Sequence, residues 1–132
     1  LGLKIIKRDK KLQGAEIPSR LIFKSCFKSI PKNIDGILHI QANSPNIDIE
    51  LIKCGLKMMQ LDKIEELLSC DVNYNQYGSL WGITRKRISK YNMNKNIHDR
   101  KVIKPDCYIL DKSVDIHNKN DLHRSLKQSA KI

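Results

Sequence analysis

Long apolar runs are missing from this chain. No stretch of about 18 uninterrupted apolar residues occurs, so no membrane-spanning helix is expected, and the N-terminus lacks the apolar core of a secretory signal. Aromatic side chains are sparse, one Trp with four Tyr and two Phe, which argues against a platform on which successive bases of a single strand would stack. Cys26, Cys54, Cys70 and Cys107 form no CxxC or CxxxxC pair, and His39, His98, His117 and His123 form no HExxH, so neither a zinc ribbon nor a metalloprotease helix has a nucleus. The thiols are read as unpaired and buried, the histidines as core or surface residues, and no metal or cofactor is expected. No glycine-rich phosphate loop and no nucleophile elbow occurs, and Asp62, Glu65 and Glu66 are expected on the solvated side of a helix, so the protein reads as noncatalytic.

What the chain has is positive charge. Twenty-five Lys and Arg stand against 14 Asp and Glu, a net +11 in 132 residues, more than solubility requires and suited to a polyanion. The charge is zoned. Residues 1–32 carry nine basic against two acidic groups, residues 33–81 three against seven, and residues 82–132 thirteen against five. A mildly acidic middle between two basic ends suggests that the ends grip the partner. We therefore divide the chain into a basic N-terminal arm and helix (1–32), an acidic, mainly helical scaffold (33–81), a second basic unit (82–117) and a basic tail (118–132). Residues 1–11 and 118–132 are expected to order only on binding. A chain beginning at Leu1 rather than Met is read as processed or incomplete at its N-terminus, which leaves an organellar, mitochondrial address open.

Apolar spacing predicts the elements. Leu21, Ile22, Cys26, Phe27 and Ile30 place an amphipathic helix after Pro18 that ends before Pro31, with Lys24 and Lys28 on its outer face. GILHIQA, from Gly36 to Ala42, reads as a strand. Asp48 to Cys70 reads as helix, with Ile52, Leu56, Met59, Ile64, Leu67 and Leu68 inward and a break into two helices at Gly55 or at Gln60 to Asp62. Met58 and Met59 are read as core, and DVNYNQYGS as a loop. Thr84 can cap a short basic helix, Arg85 to Tyr91, that turns Ile88 and Tyr91 inward. Asn96 to Pro105 reads as a hairpin, and Tyr108 to Leu110 and Val114 to Ile116 as short extended pieces.

This order, a capped basic helix, then NKNIHDRKVIKP, then YILDKSVDI, resembles the alpha-L RNA-binding domain of the small-subunit ribosomal protein S-four type. Ile97, Val102 and Pro105 match that family's hairpin, and Asp115 with Ile116 match its closing Asp-x-Ile only loosely, since no residue separates them. Asp99-Arg100 replaces the usual Asn-Gly turn, one extra residue follows Pro105, and QLDKIEELL, the counterpart of the family's leading helix, lies upstream of its usual place. The resemblance implies an α+β fold, a small helical N-terminal part followed by a basic helix and short β-hairpin strands. It also implies a noncatalytic, ribosomal or ribosome-associated protein in the cell interior. Its partners would be structured RNA, ribosomal RNA above all, and neighbouring ribosomal proteins, with no membrane involved.

On that reading Arg85, Lys86, Arg87 and Lys90 of the helix and Arg100, Lys101 and Lys104 of the hairpin contact phosphates. Replacing Ile88 by Asp should then unfold the unit. Reversing Arg85 and Arg87 to Glu should spare the fold and weaken RNA binding. Two other readings stand beside it. In one, YGSLWGITRKRISKYN is the second half of a helix-turn-helix whose recognition helix enters a DNA major groove. In the other, the segments ending at Asp71 and Asp115 close repeats of a divergent ankyrin-type scaffold, which would contain almost no strand.

Overall fold

The computed structural model describes residues 2–14, 16–91 and 104–130. After a single 3-10 turn at Lys10–Leu12 come α1 (Ser19–Ser29), β1 (Gly36–Ile40), α2 (Ile49–Leu61), β2 (Glu66–Cys70), β3 (Gln76–Thr84), α3 (Arg85–Ser89), β4 (Cys107–Leu110) and α4 (Lys119–Ser129). The class is α+β. The chain forms two compact units, Leu1–Ile37 with Thr84–Lys104 (unit 1) and Leu38–Ile83 with Pro105–Ile132 (unit 2).

Unit 1 contains α1 and α3. α1 follows Pro18 and stops where Ile30, extended because Pro31 follows it, leaves the helical region at φ −109 and ψ 155. It buries Phe27 and exposes Lys24 and Lys28, as their spacing predicts, and it also buries Phe23, which the spacing did not single out, while Leu21, Ile22, Cys26 and Ile30 are half-buried. α3 is capped by Thr84, whose hydroxyl accepts the Arg87 amide proton at 3.1 Å, and it buries Ile88. The two helices pack on one another.

Unit 2 is built on the sheet, with strand order β1-β3-β2-β4. β2 and β3 run antiparallel with Leu67 opposite Gly82 and Leu68 opposite Trp81, and the register shifts between Leu68 and Cys70. β4 lies parallel to β2, with Leu68 opposite Tyr108. The Asp106 carboxylate accepts the amide protons of both Glu65 and Glu66 at 2.9 Å and so fixes where this parallel pairing begins. α2, capped by the Asp48 side chain, lays Leu51, Ile52, Met58 and Met59 against a core of Leu67, Leu80 and Ile109. Met58 and Met59 are core residues, as expected.

Several expectations are corrected. The segment Glu66 to Cys70 is a strand, not the second half of a helix. All five of its residues are buried, and a strand covered on both faces carries a continuous apolar run that spacing alone cannot separate from a helix. α2 ends at Leu61 with Asp62 as its C-cap, at the second of the two expected break points, and no break occurs at Gly55. Glu66, placed on a solvated helix face by its neighbours, is fully buried and accepts from Trp81 Nε1 at 3.1 Å. Leu56, expected inside, is exposed. The loop expected at DVNYNQYGS shrinks to a turn at 71–75, because Asp71 accepts from the Asn73 and Asn75 amides and from Asn75 Nδ2, and Gln76 already begins β3. Cys54 is exposed rather than buried, while Cys70 is buried as expected.

Val114 to Ile116 is not a strand, although Ile116 donates its amide proton to Asn43 O at 2.8 Å. The tail expected to be unstructured until bound is α4. A reciprocal capping box between Asn118 and Asp121 starts it, and Asn46 Nδ2 donates to Ser125 O at 2.7 Å to hold it. The hairpin expected over Asn96 to Pro105 lies outside the described residues except for its last two. A four-stranded sheet also departs from a helical repeat array, and the element before α3 is a strand, not the first helix of a helix-turn-helix.

Two outcomes are expected from this packing. A Cβ built on Gly82 would stand 2.5 Å from Met59 Sδ and 2.9 Å from Leu67 Cγ. Gly82→Ala should therefore destabilise the protein by about 1–3 kcal/mol in chemical denaturation, even though alanine suits a strand better than glycine does. The Asp121 carboxyl is held below the usual carboxylate range, first by the Arg124 side chain and then by the His117 amide. Its support of α4 is therefore complete above the unfolded carboxyl value of about 4 and is lost as pH falls through the lower folded value. In a pH titration of Asp121→Asn, the acid-side loss of helicity at α4 should be smaller than in the parent.

Candidate nucleic-acid interface

The positive charge is not shared between the two units. The segments of unit 1 carry seventeen Lys and Arg against four acidic residues, net +13, and those of unit 2 carry eight against ten, net −2, which together make the +11 of the chain. The excess of positive charge therefore belongs to unit 1.

Within unit 1 the two kinds of cation do different work. The Arg85 guanidinium reaches back past the end of α1: Nη1 donates to Phe27 O at 2.7 Å, and Nη2 donates to Pro31 O and to Ile34 O at 3.1 Å. Its plane lies over the Phe27 ring, 4.7 Å from the centroid. The C-terminal end of a helix presents unpaired carbonyls and a partial negative charge, so a planar cation with several donors is well matched to it. Arg87 donates through Nη2 to Lys104 O at 2.7 Å and through Nε to the Tyr91 hydroxyl at 3.2 Å. Arg20, from α1, is buried and stacks 3.6 Å from the Tyr91 centroid, so arginines from both helices meet one tyrosine.

The lysines face outward. Lys24 and Lys28 on α1, Lys32 after it, Lys86 on α3, Lys90 at its C-cap, and Lys104 are all exposed, as are Lys4, Lys7, Arg8, Lys10 and Lys11. Of the residues expected to contact phosphate, Lys86, Lys90 and Lys104 are thus on the surface. Arg100 and Lys101 lie outside the described residues. Arg85 and Arg87 are half-buried and hold the unit together, which corrects the expectation that both could be reversed without harm to the fold. Lys24, Lys28 and Lys32 belong with the candidate surface and were not counted in it from the sequence. The four-residue spacing of Lys24 and Lys28 on an amphipathic helix was the available signal for those two.

Exposed ammonium groups on short helices attract phosphate oxygens as point charges. They lack the rigid fork with which arginine reads a guanine edge or clamps a phosphate in two bonds. In unit 2, burial raises the Cys70 and Cys107 thiols, and hydrogen bonds from Asn75 lower Asp71. No group of His, Cys, Asp and Glu suited to a metal ion occurs among the described residues. No family model matches the chain, and no curated protein matches it in sequence.

The division of labour is testable by a conservative exchange. Arg85→Lys keeps the charge but loses the fork, so some of the carbonyls it serves lose their donor. A loss of about 2 kcal/mol or more is expected in thermal or urea unfolding. Lys86→Gln, on the exposed side of the same helix, should change stability by less than about 0.5 kcal/mol.

Proposed function

We propose that this protein is a noncatalytic RNA-binding protein whose unit 1 holds a structured RNA by its phosphates. The carrying observation is the segregation of charge, +13 on the segments of one unit and −2 on the other, with the lysines of α1 and α3 exposed and the arginines spent inside. A rigid basic face suits the fixed phosphate spacing of a folded RNA, and an ammonium-based face reads shape and backbone more than sequence.

The finer reading is an alpha-L-type unit in a ribosomal or ribosome-associated protein, in contact with ribosomal RNA and neighbouring ribosomal proteins. It is supported by the Thr84-capped basic helix and by the strand Cys107–Leu110 at the place of the family's Tyr-led strand. QLDKIEELL does not supply the leading helix of that family, since Glu66–Cys70 is a strand. No observation favours a recognition helix for duplex DNA, because α3 has five residues and follows a strand directly.

Binding of a structured RNA should weaken steeply with salt. Replacing Lys24, Lys28, Lys86 and Lys90 by Gln should lower affinity and flatten the log–log salt slope by about 0.7–0.9 for each phosphate no longer neutralised, while melting stays at the parent value. A parental slope near zero, or a fourfold variant that binds as the parent does, would sink the proposal. Preference for duplex DNA over structured RNA at equal salt would redirect it.

A further inference from the structure

The outer face of α4 does not resemble that of an ordinary surface helix. Leu122 and Leu126, one turn apart on the same stripe, are 45% and 59% exposed, whereas Asp121 and Ser125 are buried. A capping box between Asn118 and Asp121 starts the helix, and polar groups anchor it: a bond from Asn46 to Ser125 O and one from Gln128 Nε2 to Lys112 O at 2.9 Å. Its leucines are therefore not needed to hold it in place. Beside them Lys119, His123 and Lys127 repeat at the same four-residue interval, all exposed, so the free face is both apolar and cationic.

The complement of that face exists on the same unit. A groove of about 1020 Å³ opens along the start of α2 and the end of β4, with Ile47, Ile49, Leu51 and Leu110 among its apolar lining and with Asp48 and Glu50 at its edge. Ile49 and Leu110 are 60% and 48% exposed there. Glu50 is paired with Lys53 at 2.7 Å on the surface, Asp111 is satisfied by Ser79 and Ser113, and Lys112 is the one cation among the described residues of the lining. The end of α4 borders this groove through Gln128 and Ser129.

We propose that α4 of one copy docks its leucine and lysine face into the groove of a second copy. Because helix and groove adjoin, a two-fold axis near Gln128 lets each copy fill the other's groove, so the contact closes as a dimer and does not propagate into a fibre. An exposed leucine pair gives nothing to a phosphate backbone, which favours a protein groove over RNA as its occupant. A helix of eleven residues with two leucines buries too little apolar area for lasting membrane attachment.

Sedimentation of the full chain without RNA tests this. The parent should show a concentration-dependent monomer–dimer equilibrium. Leu122→Glu with Leu126→Glu should weaken it by about tenfold or more. Lys127→Glu and Glu50→Lys should each weaken it, and the two together in one chain should restore association, because the opposite charges then face each other reversed. All the substituted side chains are exposed, so melting should change little, and if the leucine variant fails to fold, the charge exchange decides alone. A parent that stays monomeric at every concentration, or an exchange without rescue, overturns the proposal. So does a loss of RNA affinity on Lys127→Glu with sedimentation unchanged, which would assign α4 to the RNA. RNA binding through unit 1 should persist in every variant, so failure here leaves the RNA-binding proposal standing on its own test.

Discussion

The guanidinium of Arg85 closes the carboxyl end of α1. It donates to carbonyls of Phe27, Pro31 and Ile34, lies on the Phe27 ring, and belongs to the residue directly after the cap of α3. One side chain therefore satisfies the end of one helix and sets the start of another against it. The surface of unit 1 follows from this. Arg85, Arg87 and Arg20 are drawn inward to carbonyls and aromatic faces, and the lysines of both helices are exposed. A basic unit can be folded and still offer a strongly positive surface only if its cations divide in some such way, since buried cations without partners would be costly.

Unit 2 depends on a different polar constraint. Ser69 on β2 and Ser79 on β3 share a hydrogen bond at 2.8 Å, Ser79 donates to the Asp111 carboxylate just past β4, and Ser113 donates to the same carboxylate at 2.6 Å and through its amide at 2.8 Å. Ser69 also accepts the Leu80 amide proton. These groups are buried, and each finds a partner in the cluster, so three strands are tied at one level of the sheet. The core of Leu67, Leu80 and Ile109 beneath α2 has no comparable directionality. The polar cluster specifies register where apolar contact alone would tolerate a slip.

The two units thus differ in charge and in the chemistry that holds them, which fits a division of roles. The basic unit carries the proposed RNA surface. The acidic one combines a groove with a cationic apolar helix and carries the proposed self-association. Neither role needs a displaced titration value or a bound cofactor.

Sequence alone determined the helices α1 and α3, with their boundaries at Pro18, Pro31 and Thr84, the strand at Gly36, and the inward turn of Ile88, because each rests on neighbours within one or two turns. Net charge and its zoning were equally legible. Tertiary structure decided the rest. Glu66 to Cys70 is a strand because partners on both sides, Trp81 and Tyr108 opposite Leu68, pair with a segment whose own apolar spacing would also suit a helix. Arg85 and Lys86 are adjacent and carry the same charge, yet one is an internal tie and the other a surface cation. That difference comes from carbonyls more than fifty residues away in sequence, which no local pattern records.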